Sequence, residues 1–496
     1  MENHQAETEV TTNSIIEKKI EKVNALKKAG INPYPYTYDP THKALEIKDN
    51  FAKYQDTDIV KVAGRVMLLR NMGKSTFLNL ADQSGDIQIY FGQKQVGEES
   101  YELFKKVDVG DIIGVEGTVF KTRTEEITVR AQNFTILTKS IRPLPEKFHG
   151  IVDKELRYKH RSLDMIMNKE VKETFLKRAL ATKLIRNFMD QKGFVEIETP
   201  LLDTKYGGGE AKPFSTKVNA LDMQVYLSIS PELYLKRLMV GGIERVYNIG
   251  KSFRNEGIDR THYPEFTSME FYLAYADYHD TMKLTEDLYE YVFKTVNGTT
   301  KVVYDGQELD FKAPWPRVRM TDFIKQQLEI DVENLTKDEI LAQMKVQKIT
   351  LEEDLDFSKV SKDSLIILLF EEFCEKLIIQ PTFVIDFPKE SSPLSKAHRQ
   401  NPELIERFEP FVKGVEIGNG YSELNDPVEQ RCLLEDQAQK LRAGLETATP
   451  MDERFVEAIE AGLPPASGVG LGIDRMMMFL TGAQSIRDVI AFPICK

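Results

Sequence analysis

The sequence predicts an α+β protein with a small β-rich domain near its N-terminus and a larger domain of mixed strands and helices. Three observations lead to this prediction. Five short runs of alternating apolar and polar residues lie between positions 60 and 138, and a long helical run follows at 169–192. The remaining strands and helices mix without the regular alternation of a parallel α/β sheet. The length of 496 residues, 41% of them hydrophobic, suits about three domains with a sizeable core.

The N-terminal segment precedes the predicted strands. The first dozen residues are polar and acidic, and we expect them to be disordered. Residues 15–29, IIEKKIEKVNALKKA, have the pattern of an amphipathic helix that Gly30 ends. Prolines exclude a helix in NPYPYTYDPTH at 32–42. We assign residues 1–57 to a tail, a helix and a linker.

The β-rich segment has the strand order of a small barrel. Its five runs are VKVAGRVMLLR, STFLNLAD, GDIQIYFG, DIIGVEGTVFKT and EEITVRAQNFTILT, and the helical EESYELFKKVD lies between the third and the fourth. Five strands with a helix before the fourth match an OB-fold, which often binds oligonucleotides. A barrel with another role is the alternative. We assign 58–140 to this domain, 141–150 (IRPLPEKFHG) to a linker, and 151–496 to the large domain.

Composition excludes several classes of protein. No run of about 18 apolar residues occurs, so we expect no membrane span, and the N-terminus lacks the features of a secretory signal. The cysteines are odd in number and far apart (Cys374, Cys432 and Cys495), which indicates a reducing cytoplasm and no structural metal. A net charge of -12 gives no overall attraction to nucleic acid, so such binding needs a local basic surface.

Two glycine-containing stretches imitate nucleotide-binding motifs. GKST at 73–76 resembles the end of a P-loop, but it lacks the earlier glycine and lies in a barrel hairpin rather than before a helix. GVGLGID at 468–474 resembles a dinucleotide fingerprint, but isoleucine replaces its third glycine and no βαβ unit surrounds it. Neither supports those functions.

Residues 253–272, FRNEGIDRTHYPEFTSMEFY, interleave charges with aromatics. Because side chains alternate across a strand, Arg254 and Glu256 are predicted to share a face. In the following strand, EFTSMEFY, one face carries Phe266, Ser268, Glu270 and Tyr272. Two such strands would present an arginine, an aromatic ring and a carboxylate to one pocket. The alternative is a solvated hairpin with salt bridges.

A second hairpin is predicted in FEPFVKGVEIGNGYSELND at 408–426. A tight turn at Lys413-Gly414 would make Glu409 and Glu416 diagonal neighbours on one face. Two such carboxylates can share a Mg²⁺ ion with phosphate oxygens. The alternative is a solvated pair on an edge hairpin, which Pro410 favours.

A third candidate segment lies near the C-terminus. Gly470 and Gly472 allow the backbone to approach a ligand closely, and Arg475 begins a helix rich in methionine. An arginine there could bind a phosphate, although a surface salt bridge would also account for it.

Together these segments resemble a known family. KGFVEIETPLL at 192–202, FRNEG followed by HYPEF, and GLGIDR at 470–475 resemble the three class II synthetase motifs, in order. INPYPY, RPLPEKFHG, GGEAKPF, EIGNGYSELND and IRDVIAFP resemble the lysine branch. The chain is thus similar to class II lysyl-tRNA synthetases over nearly all its length after the tail. One departure is Tyr263, where the family usually has asparagine, in the loop expected to contact ATP.

The resemblance implies a fold and an activity. The large domain would be an antiparallel sheet flanked by helices, and the OB-fold would bind the anticodon. Lysine would attack the α-phosphate of ATP to give lysyl-adenylate and pyrophosphate, and the lysyl group would pass to the 3′-terminal adenosine of tRNA(Lys). The implied setting is a cytoplasmic, Mg²⁺-dependent homodimer, with Pro200 at the interface and no membrane partner.

The resemblance also implies roles for individual residues. Arg254 and Arg475 would be catalytic, with Arg254 bridging the lysine carboxylate and the α-phosphate and Arg475 binding the γ-phosphate. The other ATP contacts would be Glu256, His262, Phe266 and Glu409, with Phe266 stacked on adenine. The metal ligands would be Glu409 and Glu416. The lysine-binding residues would be Gly208, Glu232, Glu270, Tyr272, Asn419, Tyr421 and Glu423. Glu270 and Gly208 would meet the α-amino group, and Glu232, Glu423 and Tyr272 the ε-ammonium. The anticodon-binding residues would be Arg70, Phe77, Gln88 and Glu126.

Alternatives exist for two of these residues and for the family. Glu232 lies in the first turn of a predicted helix, where an acid is favoured anyway. Phe77 could be a core aromatic. The nearest rival families are the aspartyl- and asparaginyl-tRNA synthetases, but an aspartate pocket should contain cations. A non-catalytic RNA-binding relative need not keep both arginines and both metal glutamates, and lysyl ligases that act on proteins lack the barrel.

Overall fold

The computed structural model describes residues 2–55, 58–145, 153–351, 357, 360–443 and 448–495. The chain divides into two compact units, Met1–Val152 and Asp153–Lys496. The predicted linker at 141–150 is described as far as residue 145, and the rest of it lies outside the described residues.

In the described part of the N-terminal unit, five strands close into a barrel in the order β1-β2-β3-β5-β4. The strands are β1 (Val60–Met72), β2 (Ser75–Ala81), β3 (Asp86–Gly92), β4 (Ile112–Lys121) and β5 (Ile127–Thr138). The helices are α1 (Glu2–Lys28), α2 (Ala44–Asp49), α3 (Phe51–Tyr54), α4 (Gln93–Val96) and α5 (Glu98–Phe104). With α4 and α5 between β3 and β4, the predicted OB-fold is confirmed.

Strand alternation explains the barrel. On β2 the buried side chains are Thr76, Leu78 and Leu80, and the residues between them are partly exposed. The leucines join an apolar core that all five strands supply, and α5 closes it with Phe104 stacked on Phe91 at 4.0 Å between ring centroids. The alternate residues therefore form an outer face that is available for contacts.

Helix α1 begins earlier in the sequence than predicted. Helix α1 extends back to Glu2, well before the predicted start at Ile15. Neither proline nor glycine interrupts the sequence from Glu2 to Lys28, so no breaker ends the helix early. Its C-terminal end is as expected, since Gly30 has a φ of +76°.

The C-terminal unit contains a sheet of nine strands among its described residues, eight of them in the order β14-β15-β16-β18-β19-β11-β10-β6, with β17 paired to β16. Its strands are β6 (Val195–Glu196), β10 (Arg245–Phe253), β11 (Glu265–Ala274), β14 (Arg317–Arg319), β15 (Thr382–Pro388), β16 (Leu404–Val412), β17 (Val415–Glu416), β18 (Gly418–Ser422) and β19 (Ala466–Gly472). Smaller sheets contain β7 (Leu202–Asp203), β8 (Ser215–Val218), β9 (Met223–Leu227), β12 (Lys301–Tyr304) and β13 (Gln307–Asp310). The large sheet is mostly antiparallel, with parallel pairs at β6–β10 and β14–β15.

Helices flank this sheet. They are α6 (Lys154–Lys159), α7 (Arg161–Met167), α8 (Lys169–Gln191), α9 (Glu232–Val240), α10 (Tyr278–Asn297), α11 (Met320–Leu328), α12 (Lys337–Gln347), α13 (Lys362–Leu369), α14 (Pro427–Arg442), α15 (Glu453–Glu460), α16 (Ile473–Thr481) and α17 (Ile486–Val489). The helix predicted at 169–192 is confirmed as α8. A one-turn π-helix, Phe370–Cys374, continues α13.

Alternation along β11 separates the core from the site. Met269, Phe271 and Leu273 point into the main core, where α8, α10 and α16 supply further apolar side chains. The predicted pocket residues Phe266, Ser268, Glu270 and Tyr272 have the opposite parity and line a cavity. In the hairpin of β16 and β17, Lys413 and Gly414 both have positive φ (49° and 66°) and Phe411 is opposite Glu416, as predicted.

The predicted strand position of Arg254 and Glu256 is wrong. Strand β10 ends at Phe253, which pairs with Glu265. The N–H of Arg254 still donates to the carbonyl of Pro264 at 2.9 Å, but proline has no N–H with which to return the bond and continue the ladder. The backbone instead turns toward another segment, and the N–H of Asn255 donates to the carbonyl of Lys212 at 2.7 Å. Arg254 and Glu256 therefore lie on a loop.

Within the described residues, none of the helices combines the length and the apolar character needed to cross a membrane.

Candidate active site

A cavity of about 790 Å³ opens in the C-terminal unit beside β11, β16, β18, β19 and the start of α9. This volume is typical of small-molecule sites. Every residue that the sequence assigned to ATP, lysine or metal lines it: Gly208, Glu232, Arg254, Glu256, His262, Phe266, Glu270, Tyr272, Glu409, Glu416, Asn419, Tyr421, Glu423 and Arg475. The fold thus brings together side chains from segments as far apart as Gly208 and Arg475.

Glu270 is a buried carboxylate whose partners are neutral hydroxyls. Ser230 Oγ donates to Glu270 Oε1 at 2.8 Å, and the Tyr272 hydroxyl donates to Oε2 at 3.0 Å. Burial, with the charge of Glu232 nearby, raises the pKa of Glu270 to about 7. A cationic ligand would stabilise the ionised form of Glu270, because it would offset the cost of burying the charge.

Glu423 is a deeply buried acid of the cavity, with 1% of its surface exposed. Burial raises its pKa to about 8, Lys236 opposes this, and Glu232 adds to it. Its Oε1 has no hydrogen-bond partner among the described residues. A buried carboxylate oxygen without a donor is costly, so a ligand that donates to it is strongly favoured.

Lys236, which the sequence analysis missed, is 1% exposed between two of these acids. Its Nζ donates to Glu232 Oε1 at 2.6 Å and forms an ion pair with Glu423 Oε2. The Tyr421 hydroxyl also donates to Glu232 Oε1. The sequence signal was the i,i+4 spacing of Glu232 and Lys236 on one helix. In the protein alone, Glu232 is therefore already paired.

Two glycines keep this end of the cavity open. Gly208 has a φ of +79°, and a Cβ there would lie 2.9 Å from both Ser230 Oγ and Glu232 Cβ. At Gly468 a Cβ would lie 2.2 Å from the ring of Tyr272 and 2.6 Å from Glu423 Oε1. A side chain at either position would displace the acids or the tyrosine.

Arginines and an aromatic ring define the other end. The Arg254 guanidinium lies 5.3 Å from the centroid of Phe266, and its Nε has no hydrogen-bond partner within the described part of the chain. Arg475 donates from Nη1 to the Glu416 carbonyl at 2.6 Å. Two cations beside an aromatic face suit a phosphate-bearing ligand with a planar base.

His262 links Arg475 to an acidic residue. Arg475 Nη2 is 3.0 Å from His262 Nε2, and His262 Nδ1 is 2.8 Å from Asp259 Oδ2. Because arginine can only donate, Nε2 accepts and the ring proton lies on Nδ1, facing Asp259. This arrangement orients the Arg475 side chain at the cavity wall.

Glu409 and Glu416 lie on adjacent strands as diagonal neighbours. Burial raises the pKa of Glu409 to about 7, Arg407 opposes this, and the carboxylates of Glu416 and Glu371 add to it. Arg407 Nη2 donates to Glu409 Oε1 at 2.6 Å and Nε donates to Asn419 Oδ1 at 3.1 Å. Glu371, on the π-helix, and Glu375, whose pKa burial raises to about 7, are cavity acids that sequence reasoning missed.

These acids fit Mg²⁺ only in combination with a phosphate ligand. The described residues contain no group of three or more His, Cys, Asp or Glu side chains suited to hold a metal. Magnesium commonly binds through one or two carboxylates and completes its shell with water and substrate phosphate oxygens. Glu409, whose pKa is raised by burial, and Glu416 could supply the two carboxylates for such a site.

Two loop residues differ in their surroundings. Glu256 lies at the exposed rim of the cavity. Tyr263 is 6% exposed and packs in the main core, and its hydroxyl accepts the backbone N–H of Ile494 at 2.6 Å. The tyrosine therefore fixes the loop to the C-terminal segment.

The barrel carries the predicted anticodon residues on its outer face. Arg70 pairs with Phe77 across β1 and β2, and Phe77 with Tyr90 across β2 and β3. Phe77 is only partly buried and lies outside the barrel core, with its ring centroid 5.0 Å from that of Tyr90. The core reading of Phe77 therefore does not hold.

The remaining barrel residues lie nearby. Gln88 Oε1 accepts from Thr128 at 2.9 Å, and Glu126 forms an exposed ion pair with Lys48 at 3.3 Å. Sequence reasoning missed three further side chains of this face, Tyr90, Phe120 and Arg130. The guanidinium of Arg130 lies 4.3 Å from the Phe120 ring centroid. Aromatic rings with an arginine suit stacked, unpaired bases.

Comparison with known families agrees with both units. Residues 153–496 match the model described as tRNA synthetases class II (D, K and N), and residues 60–137 match that of the OB-fold nucleic acid binding domain. The chain belongs to the class II tRNA synthetase family. The resemblance to this family in the sequence is therefore confirmed.

Curated relatives specify the branch of the family. A lysine–tRNA ligase of Clostridium novyi is 48% identical over 497 residues, which cover 99% of this chain and 96% of that protein. One of Pelotomaculum thermopropionicum is 50% identical over 484 residues (98% and 95%), and one of Carboxydothermus hydrogenoformans is 48% identical over 486 residues (98% of each). This synthetase is thus similar to lysine enzymes over almost its whole length.

Proposed function

We propose that this synthetase activates L-lysine with ATP and transfers the lysyl group to the 3′-terminal adenosine of tRNA(Lys). The observation that carries the choice of lysine is Glu423, a buried carboxylate at the cavity wall with an oxygen that lacks a donor among the described residues. Buried acids require a cation or a proton, and the lysine side chain delivers a cation.

The charges of the cavity match those of lysine. Glu270 is the partner for the α-ammonium and Glu423 for the ε-ammonium, while Arg254 takes the carboxylate. Tyr272, Tyr421, Asn419 and the Gly208 backbone enclose the chain. An aspartate or asparagine side chain would meet carboxylates where it needs donors, which disfavours the rival branches.

Activation is an in-line displacement at phosphorus. A lysine carboxylate oxygen attacks the α-phosphorus, the bond to the bridging oxygen breaks, and pyrophosphate leaves with that oxygen. The step needs positioning and charge neutralisation rather than a covalent bond to the protein. Arg254, whose Nε has no hydrogen-bond partner in the described part of the chain, would neutralise both the attacking carboxylate and the α-phosphate.

The remaining ATP contacts follow from the same cavity. Phe266 provides a face for adenine, and Arg475, oriented by His262, is the partner for the γ-phosphate. Glu256 reaches ATP from the rim. Glu409 and Glu416 would hold Mg²⁺ together with the phosphates, and the ion would neutralise charge on the leaving pyrophosphate.

The second step requires tRNA. The 3′-hydroxyl of the terminal adenosine attacks the lysyl carbonyl, and AMP leaves with the former carboxylate oxygen. Arg70, Phe77, Gln88 and Glu126 are proposed to read the anticodon on the outer face of the barrel. Stacking on Phe77 and Tyr90 is the expected means of holding unpaired bases.

We further infer a homodimer in the cytoplasm, where tRNA is charged. Large apolar side chains are exposed on α8 and the segment after it: Leu176, Leu180, Val195, Leu201 and Leu202. Pro200 lies among them. Exposed apolar side chains of this kind favour a protein interface, and a two-fold axis would let them cover the same residues of a second copy.

The proposal is tested by charging total tRNA with each labelled amino acid in the presence of ATP and Mg²⁺. We expect label from lysine alone to become attached to tRNA, through an alkali-labile ester bond. Charging with aspartate or asparagine, or no charging while the protein is folded, would contradict the proposal.

A further inference from the structure

The proposed lysine pocket already contains an ammonium group of the protein itself. Lys236 lies one helical turn after Glu232, is 1% exposed, and donates to Glu232 Oε1 at 2.6 Å. Its Nζ is also ion-paired with Glu423 and lies 5.2 Å from the ring centroid of Tyr421. Since Tyr421 also donates to Glu232, that carboxylate has two donors before any substrate binds.

The other two acids have weaker partners. Glu270 accepts only from the neutral hydroxyls of Ser230 and Tyr272, among the contacts described. Glu423 shares Lys236 through one oxygen, and its other oxygen has no donor in the described residues. With Lys236 included, three carboxylates and one ammonium leave two negative charges. Lysine has two ammonium groups.

We propose that Lys236 is a positioning residue that sets selectivity for a substrate with two ammonium groups, because it neutralises Glu232 and leaves Glu270 and Glu423 for the substrate. The proposal rests on the proposed function and changes one assignment that the family resemblance implied. Glu232 acts through Lys236 and Tyr421 rather than by direct contact with the ε-ammonium.

If the charges of the pocket must match those of lysine, combining two harmful substitutions should partly restore lysine binding. In Lys236→Met, Glu232 and Glu423 become neighbouring buried acids without a counter-ion, so one binds a proton in place of the substrate. In Glu232→Gln, Lys236 keeps only Glu423 and competes with the substrate for it. When both changes are combined, one carboxylate again faces one incoming ammonium.

The experiment measures lysine-dependent pyrophosphate exchange for the wild type, Glu232→Gln, Lys236→Met and the double variant. We expect each single change to raise the KM for lysine about tenfold or more, as the loss of a charge-assisted bond does. We expect the double variant to have a lower lysine KM than either single variant. The KM for ATP and kcat at saturating lysine should stay close to wild type throughout.

Arg237→Met is the matched control. Arg237 is the next residue of the same helix, and its guanidinium lies 5.4 Å from the ring centroid of Tyr234 rather than in the pocket. Its lysine KM should be unchanged, because no pocket charge is altered.

A double variant with a lysine KM no lower than that of Glu232→Gln would overturn the proposal, since Lys236 would then act only through packing. If Lys236→Met alone does not melt cooperatively, the proposal is still tested by comparing the lysine KM of the double variant with that of Glu232→Gln. A double variant that does not fold would also contradict the proposal, because a self-neutralising buried pair tolerates neutral replacements. Wild-type exchange driven by another amino acid would instead refute the proposed function itself.

Discussion

At the scale of residues, the partner of each buried carboxylate determines what the carboxylate can bind. Glu232 has an ammonium and a hydroxyl, Glu270 has two hydroxyls, and Glu423 has a shared ammonium and one oxygen without a donor in the described residues. These three acids look alike in the sequence. Their contacts show that Glu270 and Glu423 are available to a ligand, whereas Glu232 is already neutralised by Lys236.

Glu423→Gln should mainly weaken lysine binding. The change replaces a charged acceptor by a neutral amide of nearly the same shape opposite an ammonium group. The loss of a charge-assisted bond costs about 1.5–3 kcal/mol, which corresponds to a roughly ten- to 150-fold rise in the lysine KM. Exchange kinetics measure this, with the KM for ATP as the internal control. An unchanged lysine KM and kcat would remove Glu423 from the pocket.

Lysine binding should also depend on pH. Burial raises the pKa of Glu423 to about 8 and that of Glu270 to about 7, above the ordinary value of 4.5. The folded protein therefore keeps protons that the unfolded chain loses, and the stability this gives is lost as pH rises through 7 to 8. Lysine binds the ionised acids, so it should stabilise the fold more at high pH.

The measurement is the rise in melting temperature that saturating lysine produces at about pH 6 and about pH 8.5. We expect the larger rise at the higher pH, and a smaller difference between the two in Glu423→Gln. Equal rises at both values would show that neither acid changes its protonation when lysine binds.

Sequence reasoning recovered the residues that line the cavity but not the contacts among them. Lys236 was visible only as part of a helical ion pair, a pattern that is usually solvated. The role of Tyr263 could not be inferred because its partner, the backbone of Ile494, is 231 residues away in sequence. Such pairings depend on how distant segments pack, which local periodicity does not encode.

At the scale of elements, local patterns predicted strands and turns well and strand ends less well. The five barrel strands, the helix α8 and the turn at Lys413-Gly414 follow from alternation, helical periodicity and turn chemistry. The end of β10 was missed because it depends on Pro264 in the opposite strand. The effect of Pro264 on β10 can be predicted only when the pairing of β10 with β11 is known.

Phe77→Ala should separate the proposed anticodon binding by the barrel from the activation of lysine by the larger unit. Phe77 is partly exposed on β2 with Tyr90 as its neighbour, so its truncation should spare the barrel core. Stacking of one base is worth about 1–3 kcal/mol, so kcat/KM for tRNA should fall roughly five- to 150-fold. Lysine-dependent exchange should remain close to wild type.

The control for Phe77→Ala is the thermal melting curve of the same variant. A loss of about 3–5 kcal/mol of stability would indicate a core residue instead. Undiminished charging by a normally folded variant would exclude Phe77 from the anticodon site.

At the scale of the whole molecule, the chain consists of two compact units with different tasks. The family match assigns a nucleic-acid-binding fold to the smaller unit and a synthetase fold to the larger one. The net charge of -12 had excluded a general attraction to nucleic acid. The aromatic and arginine side chains on the barrel face are the kind of local surface that this charge requires.

The homodimer is a prediction at this scale. If Leu201 and Leu202, which are 46% and 48% exposed, lie at a two-fold interface, the protein should sediment as a dimer at assay concentrations. Leu201→Asp with Leu202→Asp should shift it toward monomer and reduce exchange, because the first motif is only a few residues before Gly207 and Gly208, which line the cavity. Arg237→Met is again the control. A wild-type protein that is fully active as a monomer would contradict the prediction.

We propose that the buried acids of one cavity make this synthetase specific for lysine. This proposal is tested most directly by ATP–pyrophosphate exchange, without tRNA, with lysine, aspartate and asparagine measured side by side on the full-length protein. We expect exchange with lysine and none above background with the other two. Exchange driven by aspartate or asparagine, with lysine inactive, would contradict it.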